Sequence, residues 1–128
     1  MSNHKAELMK RYVLILALIA SVAISCKEDK LSIACNVDDP AENLSWMQEV
    51  IEEYTGTEIG RLYTYIQKAD YDGQTVFIVQ NCCPMCSFMP VVYKCDGSRI
   101  PSKDLDFKKL STREVVWKSS ENTCILDK

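Results

Sequence analysis

Cysteine is the residue type with the most reactive side chain in this 128-residue chain, which contains seven cysteines. Six follow residue 30, at Cys35, Cys82, Cys83, Cys86, Cys95 and Cys124. An even number of cysteines in a small exported domain indicates a disulfide framework, because oxidising compartments preserve such bonds. We therefore expect these six residues to form disulfides, each of which contributes about 2–4 kcal/mol to stability.

The sequence leaves the pairing of the six cysteines open. If adjacent Cys82 and Cys83 both lie in a strand, their side chains point to opposite faces, and they should bond to different parts of the chain. Cys35 and Cys124 lie near the two ends of the domain. They are natural partners for the central cluster of cysteines.

An alternative use of the central cysteines is thiol-redox chemistry. Cys83-Pro84-Met85-Cys86 is a C-x-x-C motif, and in redox proteins that motif opens a helix whose N-terminus lowers the pKa of the thiol. Here the following residues, 87–92, are typical of a strand. That context argues against a redox site, which remains the second hypothesis.

A further alternative for the same cluster is a soft-metal site. Cys83, Met85, Cys86 and Met89 would offer thiolate and thioether ligands, which suit Cu(I). Exported cysteines usually oxidise, however, and methionine in a turn more often fills a gap in the packing. The main interpretation therefore includes no metal and no cofactor.

Histidine is missing from most of the chain, because the single one, His4, lies near the N-terminus. Without it, the rest of the chain cannot form a Ser-His-Asp or Cys-His catalytic group. It also cannot form a zinc site that uses imidazole. The sequence therefore predicts no catalytic residues and a protein that is not an enzyme.

The elements that would carry the cysteines are one helix and several strands. Asp38-Asp39-Pro40 is a typical helix start, and apolar residues then recur in steps of three and four, at Leu44, Met47, Val50, Ile51 and Tyr54. Asp72-Gly73 predicts a hairpin between strands 62–71 and 74–83. Residues 76–79 are all apolar, which predicts a central strand buried on both faces.

The remaining segments complete an α+β domain. We predict strands at 88–95 and 114–118, with short helical turns or an anchored loop at 100–111. The expected fold is one N-terminal helix packed on an antiparallel sheet of about four strands, stabilised by disulfides. The expected core residues share an inward position: Leu44, Met47, Val50, Ile51, Phe77, Val79, Val91, Tyr93 and Trp117.

The N-terminus has the pattern of an export signal. Lys10 and Arg11 precede a largely apolar run of 13 residues, 12–24. A membrane-spanning helix needs about 20 residues, so a cleaved signal at 1–25 fits better than a transmembrane anchor.

Charge excludes nucleic acid as a partner. Residues 1–25 hold three of the 15 Lys and Arg and one of the 18 Asp and Glu, so residues 26–128 carry a formal charge of −5. Nucleic-acid binding needs clustered basic residues, and this part of the chain has no basic run.

The residues after the apolar run resemble those of lipoproteins. Ala23-Ile24-Ser25-Cys26 resembles a lipobox, which implies that Cys26 receives the lipid. Lys27, Glu28 and Asp29 resemble the surface-export signal of Bacteroidota lipoproteins, which implies an outward-facing position on the outer membrane. The alternatives are a plain signal peptide and a solvated tether. The predicted organisation is a signal at 1–25, the lipidated cysteine and tether at 26–39, and one domain at 40–128.

Four segments of the domain carry a further resemblance. Residues 43–47, 74–79, 82–86 and 92–97 together resemble a group of small Bacteroidota lipoproteins, over about residues 40–118. The resemblance implies a location and a fold, and no activity.

The leading hypothesis is a lipid-anchored, non-enzymatic binding module for an envelope, glycan or protein partner. A third hypothesis is an inhibitor of a secreted enzyme, built on the same disulfide scaffold.

Overall fold

The computed structural model describes Met9 and residues 33–126. The predicted lipidation site Cys26 and the export residues Lys27, Glu28 and Asp29 lie outside the described residues, as does the predicted signal apart from Met9. The described residues from 33 onward belong to one structural unit, Leu31–Lys128.

The described part of the chain contains a small hairpin, three short helices and a larger sheet. The hairpin consists of β1 (Ile33–Ala34) and β2 (Val37–Asp38). The helices are α1 (Pro40–Asn43), α2 (Ser45–Thr55) and α3 (Glu58–Tyr63). The strands of the sheet are β3 (Thr64–Tyr71), β4 (Gln74–Asn81), β5 (Val91–Lys94), β6 (Arg99–Ile100) and β7 (Leu110–Lys118).

The larger sheet has the order β6-β5-β4-β3-β7, and all neighbouring strands are antiparallel. The predicted α+β class and the disulfides are confirmed. The finer expectation of one helix and about four strands is wrong, because the sheet has five strands and three helices precede it. Residues 33–38, which were predicted to belong to the tether, form the N-terminal hairpin.

Helix α3 replaces the beginning of the predicted strand 62–71. The Thr57 hydroxyl accepts a hydrogen bond from the Gly60 N–H at 3.0 Å, which caps the helix N-terminus. A Cβ at Gly60 would overlap the Tyr54 carbonyl, so only glycine allows α3 to approach the end of α2 so closely. These contacts override the strand preference of Tyr63, and β3 therefore begins at Thr64.

The central strand is β4, as predicted. Its residues 76–79 are all buried, and their side chains alternate between two core clusters. One cluster contains Met47 and Val50 of α2 together with Ile66, Phe77, Val79 and Tyr93 of the sheet. The cluster on the other face contains Ala69, Val76, Ile78, Val92 and Leu110. Leu105, between two short 3-10 turns (Ser102–Asp104 and Phe107–Lys109), packs against this second cluster.

The predicted core covers only the helix side of the sheet. Five of the nine predicted residues are buried there: Met47, Val50, Phe77, Val79 and Tyr93. The other four are partly buried and pack against the same cluster: Leu44, Ile51, Val91 and Trp117. The burial of Val76 and Ile78 on the second face agrees with the prediction that β4 is covered on both faces, whereas Ala69, Val92 and Leu110 are not among the predicted core residues.

Candidate functional site

Three disulfides pair the six cysteines of the domain. The bonds are Cys35–Cys95, Cys82–Cys124 and Cys83–Cys86, with Cα atoms 5.5, 5.8 and 5.4 Å apart. Cys124 thus bonds to the central cluster, whereas Cys35 bonds to Cys95 after β5. Cys82 and Cys83 have different partners, although neither lies in a strand.

The reason that Cys82 and Cys83 leave the strand is the side chain of Asn81. Its amide oxygen accepts a hydrogen bond from the Cys83 N–H at 2.8 Å, and its amide nitrogen donates to the Thr64 hydroxyl at 3.1 Å. Such a local side-chain bond to the backbone competes with the sheet ladder. The predicted strand 74–83 therefore ends at Asn81.

The three disulfides differ in how much chain they constrain. Cys35–Cys95 and Cys82–Cys124 join residues 60 and 42 positions apart, whereas Cys83–Cys86 joins residues three positions apart. The loss of loop-closure entropy in the unfolded chain is worth about 4 kcal/mol for the two long loops and about 2 kcal/mol for the short one. The short bridge therefore connects no distant parts of the fold.

The Cys82–Cys124 bridge holds the C-terminal tail in place, and three hydrogen bonds to backbone carbonyls lie close to it. The Cys82 N–H donates to the Tyr63 carbonyl at 3.0 Å, and the Thr123 N–H donates to the Leu62 carbonyl at 2.8 Å. The Asn122 amide donates to the Thr64 carbonyl at 2.8 Å. This bridge is therefore part of a structural junction between the tail, α3 and β3.

The loop after β4, residues 82–90, carries two exposed methionines. Met85 lies in the turn closed by Cys83–Cys86 and is 94% exposed, and Met89 is 67% exposed. Pro90 has no N–H to donate to a neighbouring strand, and β5 begins directly after it at Val91. The predicted strand 88–95 is therefore shorter, 91–94.

Two adjoining depressions beside this loop form a surface that we call the Met89 groove. Residues 88–91 line it from the loop and the start of β5, and residues 99–103 and Phe107 line it from β6 and the segment that follows. The two depressions share Met89, Pro90 and Ser102, and their volumes are about 490 and 210 Å³. Pairing of β5 with β6 brings these two distant segments together.

The Met89 groove combines apolar surface with positive charge. Met89 and Phe107 are both exposed, and Phe107 is 46% accessible. The lining also includes two cations, Arg99 and Lys103, and no carboxylate. Exposed apolar patches with polar rims mark interaction sites on soluble domains.

The residues of this groove were not predicted as a site, apart from Met89 in the metal alternative. A signal was present in the sequence, because Phe107 stands among the charged residues Asp106, Lys108 and Lys109. From the sequence alone, the spacing of Leu105, Phe107 and Leu110 favours a short helical turn or an anchored loop. In the structure Leu105 and Leu110 anchor that segment, and Phe107 is exposed.

A separate depression, outside the Met89 groove, lies beside Cys35–Cys95. Residues 35–36, 74–75 and 94–96 line it, with a volume of about 520 Å³. Its carboxylate, Asp96, accepts hydrogen bonds from the Ser98 hydroxyl at 2.6 Å and the Ser98 N–H at 2.9 Å. These bonds hold the pKa of Asp96 below its usual value and stabilise the turn between β5 and β6. The Asp96 carboxylate therefore has a structural role in this turn.

Two other groups have shifted pKa values with structural causes. Burial raises the pKa of Tyr54, with a smaller contribution from Tyr93. A hydrogen bond to Asp72 at 3.0 Å raises the pKa of Lys109. Neither group lines the Met89 groove. Every buried side-chain nitrogen and oxygen in the described part of the chain has a hydrogen-bond partner within the protein.

The soft-metal alternative loses its thiolate ligands in this structure. Cys83 and Cys86 are bonded to each other, and a disulfide sulfur does not supply the thiolate that Cu(I) or Zn²⁺ binds. Met85 and Met89 remain as exposed side chains. Across residues 33–126 and Met9, no group of three or more His, Cys, Asp or Glu side chains is arranged to hold a metal ion.

Among the described residues, no helix combines the length and the apolar character needed to cross a membrane.

Comparisons of the chain with protein-family models, with curated proteins and with solved structures gave no match.

Proposed function

We propose that this protein is a lipid-anchored lipoprotein of the outer membrane, exposed at the surface, whose domain is a non-enzymatic binding module. The anchoring part rests on the lipobox-like residues 23–26 and on the export-signal-like residues Lys27, Glu28 and Asp29 that follow Cys26. The binding part rests on one observation, the Met89 groove, where exposed apolar side chains meet two cations on an acidic domain.

The chemistry of the groove favours a protein partner. Phe107, Met89 and Pro90 offer apolar contacts, while Lys103 offers positive charge. Arg99 also lines the groove, and its guanidinium lies over the Tyr93 ring, 5.3 Å from the ring centroid. The matching ligand is an extended segment of an envelope protein that carries an apolar side chain beside a carboxylate. A glycan would need several hydrogen-bonding groups, and Ser102 is the only uncharged polar side chain among the lining residues.

The sheet holds one wall of the groove in place. Val91 and Ile100 belong to paired strands of the sheet, and Ile100 packs against the second core cluster. A binding surface on rigid elements loses less conformational entropy when a partner binds.

The binding role is tested by placing a photoreactive amino acid at position 107 and identifying the protein that becomes crosslinked to it, because the exposed ring of Phe107 lines the groove.

Anchoring is tested by the substitution Cys26→Ser in a Bacteroidota host. We expect the variant to lose incorporation of a fatty-acid probe and to leave the membrane fraction, because lipid attaches to the missing thiol. In a second variant, alanine replaces Lys27, Glu28 and Asp29. It should keep the lipid and lose accessibility to protease added to intact cells. Lipid incorporation by the Cys26→Ser variant would contradict the proposed anchor.

A further inference from the structure

The Cys83–Cys86 disulfide differs from the other two in what it holds together. It closes a turn whose ends are three positions apart, and one hydrogen bond, from the Cys86 N–H to the Cys83 carbonyl at 3.4 Å, spans the same turn. Cys35 packs against the helix-side core, and Cys124 joins the C-terminal tail to the sheet. Neither Cys83 nor Cys86 contributes to a core cluster.

The base of the loop is held without the Cys83–Cys86 bridge. The Cys82 N–H bonds to the Tyr63 carbonyl, the Cys83 N–H bonds to Asn81, and Cys82 is bonded to Cys124. Opening the bridge would therefore free only the turn around Pro84 and Met85. Both of these residues are exposed.

A reactant from solution can reach this bridge. Cys83 and Cys86 are each partly exposed, as are Cys35, Cys95 and Cys124, while Cys82 is exposed. Access therefore does not distinguish the bridges, and what distinguishes Cys83–Cys86 is the short turn that it closes. Exposed disulfides that the fold does little to hold together are the more easily reduced ones, and they are the ones used in exchange chemistry.

The strand expected directly after Cys86, which argued against a redox site, is absent, because residues 87–90 form a loop and β5 begins only at Val91. We propose that Cys83–Cys86 is a thiol–disulfide exchange site that oxidises an external dithiol. A thiolate of the dithiol attacks one sulfur of the bridge; the sulfur–sulfur bond breaks, and the released cysteine takes a proton. The second thiol of the donor then resolves the mixed disulfide by attacking the donor sulfur within it. The donor ends as a disulfide and Cys83 and Cys86 end as thiols, so that two electrons and two protons have been transferred.

This exchange site goes beyond the proposed binding function and does not depend on it. The redox chemistry uses the turn at residues 83–86, whereas the Met89 groove is lined by residues 88–91, 99–103 and 107. A protein that binds no partner at the groove could still exchange electrons at the turn, and the reverse also holds.

The test is a redox titration of the full protein, purified in detergent from the envelope of the expressing cells. It is equilibrated with graded ratios of reduced to oxidised dithiothreitol, quenched with acid, alkylated and mapped by peptide mass. We expect Cys83 and Cys86 to take the label at a ratio about tenfold or more below that needed for the other four cysteines, because little folded structure holds their sulfur atoms together. Tryptophan emission should not change at that ratio.

A second measurement follows transfer to a synthetic peptide that contains two thiols. The oxidised protein should convert about one peptide per chain to the disulfide, as the two-electron balance requires. The Cys83→Ser/Cys86→Ser variant should convert none, and the matched Cys82→Ser/Cys124→Ser variant should still convert it. The proposal is overturned if Cys83 and Cys86 take the label only together with the other cysteines, or if the Cys83→Ser/Cys86→Ser variant oxidises the peptide equally well.

Discussion

Replacing Cys35 and Cys95 with serine is expected to lower the free energy of unfolding by about 4 kcal/mol. The bridge joins residues 60 positions apart, so its loss releases the largest loop in the unfolded chain. In the folded chain it ties the N-terminal hairpin to the end of β5. A hydrogen bond from the Trp46 indole N–H to the Cys95 carbonyl, at 3.0 Å, also connects helix α2 to this end of β5.

The measurement is urea unfolding, followed by tryptophan emission, with Cys83→Ser/Cys86→Ser as the matched control. That control removes the same number of sulfur atoms, but its two cysteines are only three positions apart. It should lower the free energy of unfolding by about 2 kcal/mol. Equal losses in the two variants, or a larger loss in the control, would show that loop closure does not set the contribution of each bridge.

Gly97→Ala is expected to lower the free energy of unfolding by about 2–4 kcal/mol. Gly97 lies in the turn between β5 and β6 with φ of +83°, a region that costs an alanine about 1–2 kcal/mol. Its added Cβ would also lie 2.7 Å from Cγ of Trp46. Trp46 cannot move away freely, because it stacks on Tyr93 with ring centroids 5.2 Å apart.

Gly73→Ala separates the two causes. Gly73 has φ of +78°, and a Cβ added there would meet no atom within 4 Å beyond its chain neighbours. It should therefore show only the backbone cost of about 1–2 kcal/mol. Urea unfolding of both variants measures the difference, which reports the contact with Trp46. If Gly73→Ala is as destabilising as Gly97→Ala, that contact contributes nothing.

Local signals predicted the parts of the fold that depend on neighbouring residues. Asp72 and Gly73 both adopt positive φ, and they join β3 and β4 as the two-residue hairpin expected from their types. The apolar run 76–79 placed β4 at the centre of the sheet, because only a strand covered on both faces is apolar throughout.

The parts that were missed depend on contacts between distant residues or on very short elements. β1 and β2 have two residues each, too few to show any periodicity, and their turn places Cys35 and Asn36 at positive φ. The partner of Cys35 is set by the position of this hairpin beside β5. The Met89 groove forms only when β6 pairs with β5, so its two segments give no joint signal in the sequence.

The most direct test of the binding role is site-specific photocrosslinking on intact cells of a Bacteroidota host. A photoreactive amino acid replaces Phe107 in the groove, and in the control it replaces Ile59 on α3, which is 53% exposed and outside the groove. We predict one discrete crosslinked envelope protein from position 107 and none from position 59. Lys103→Glu should reduce the yield, because the expected partner segment is acidic. No crosslink from position 107, or the same products from both positions, would contradict a binding module that acts through the Met89 groove.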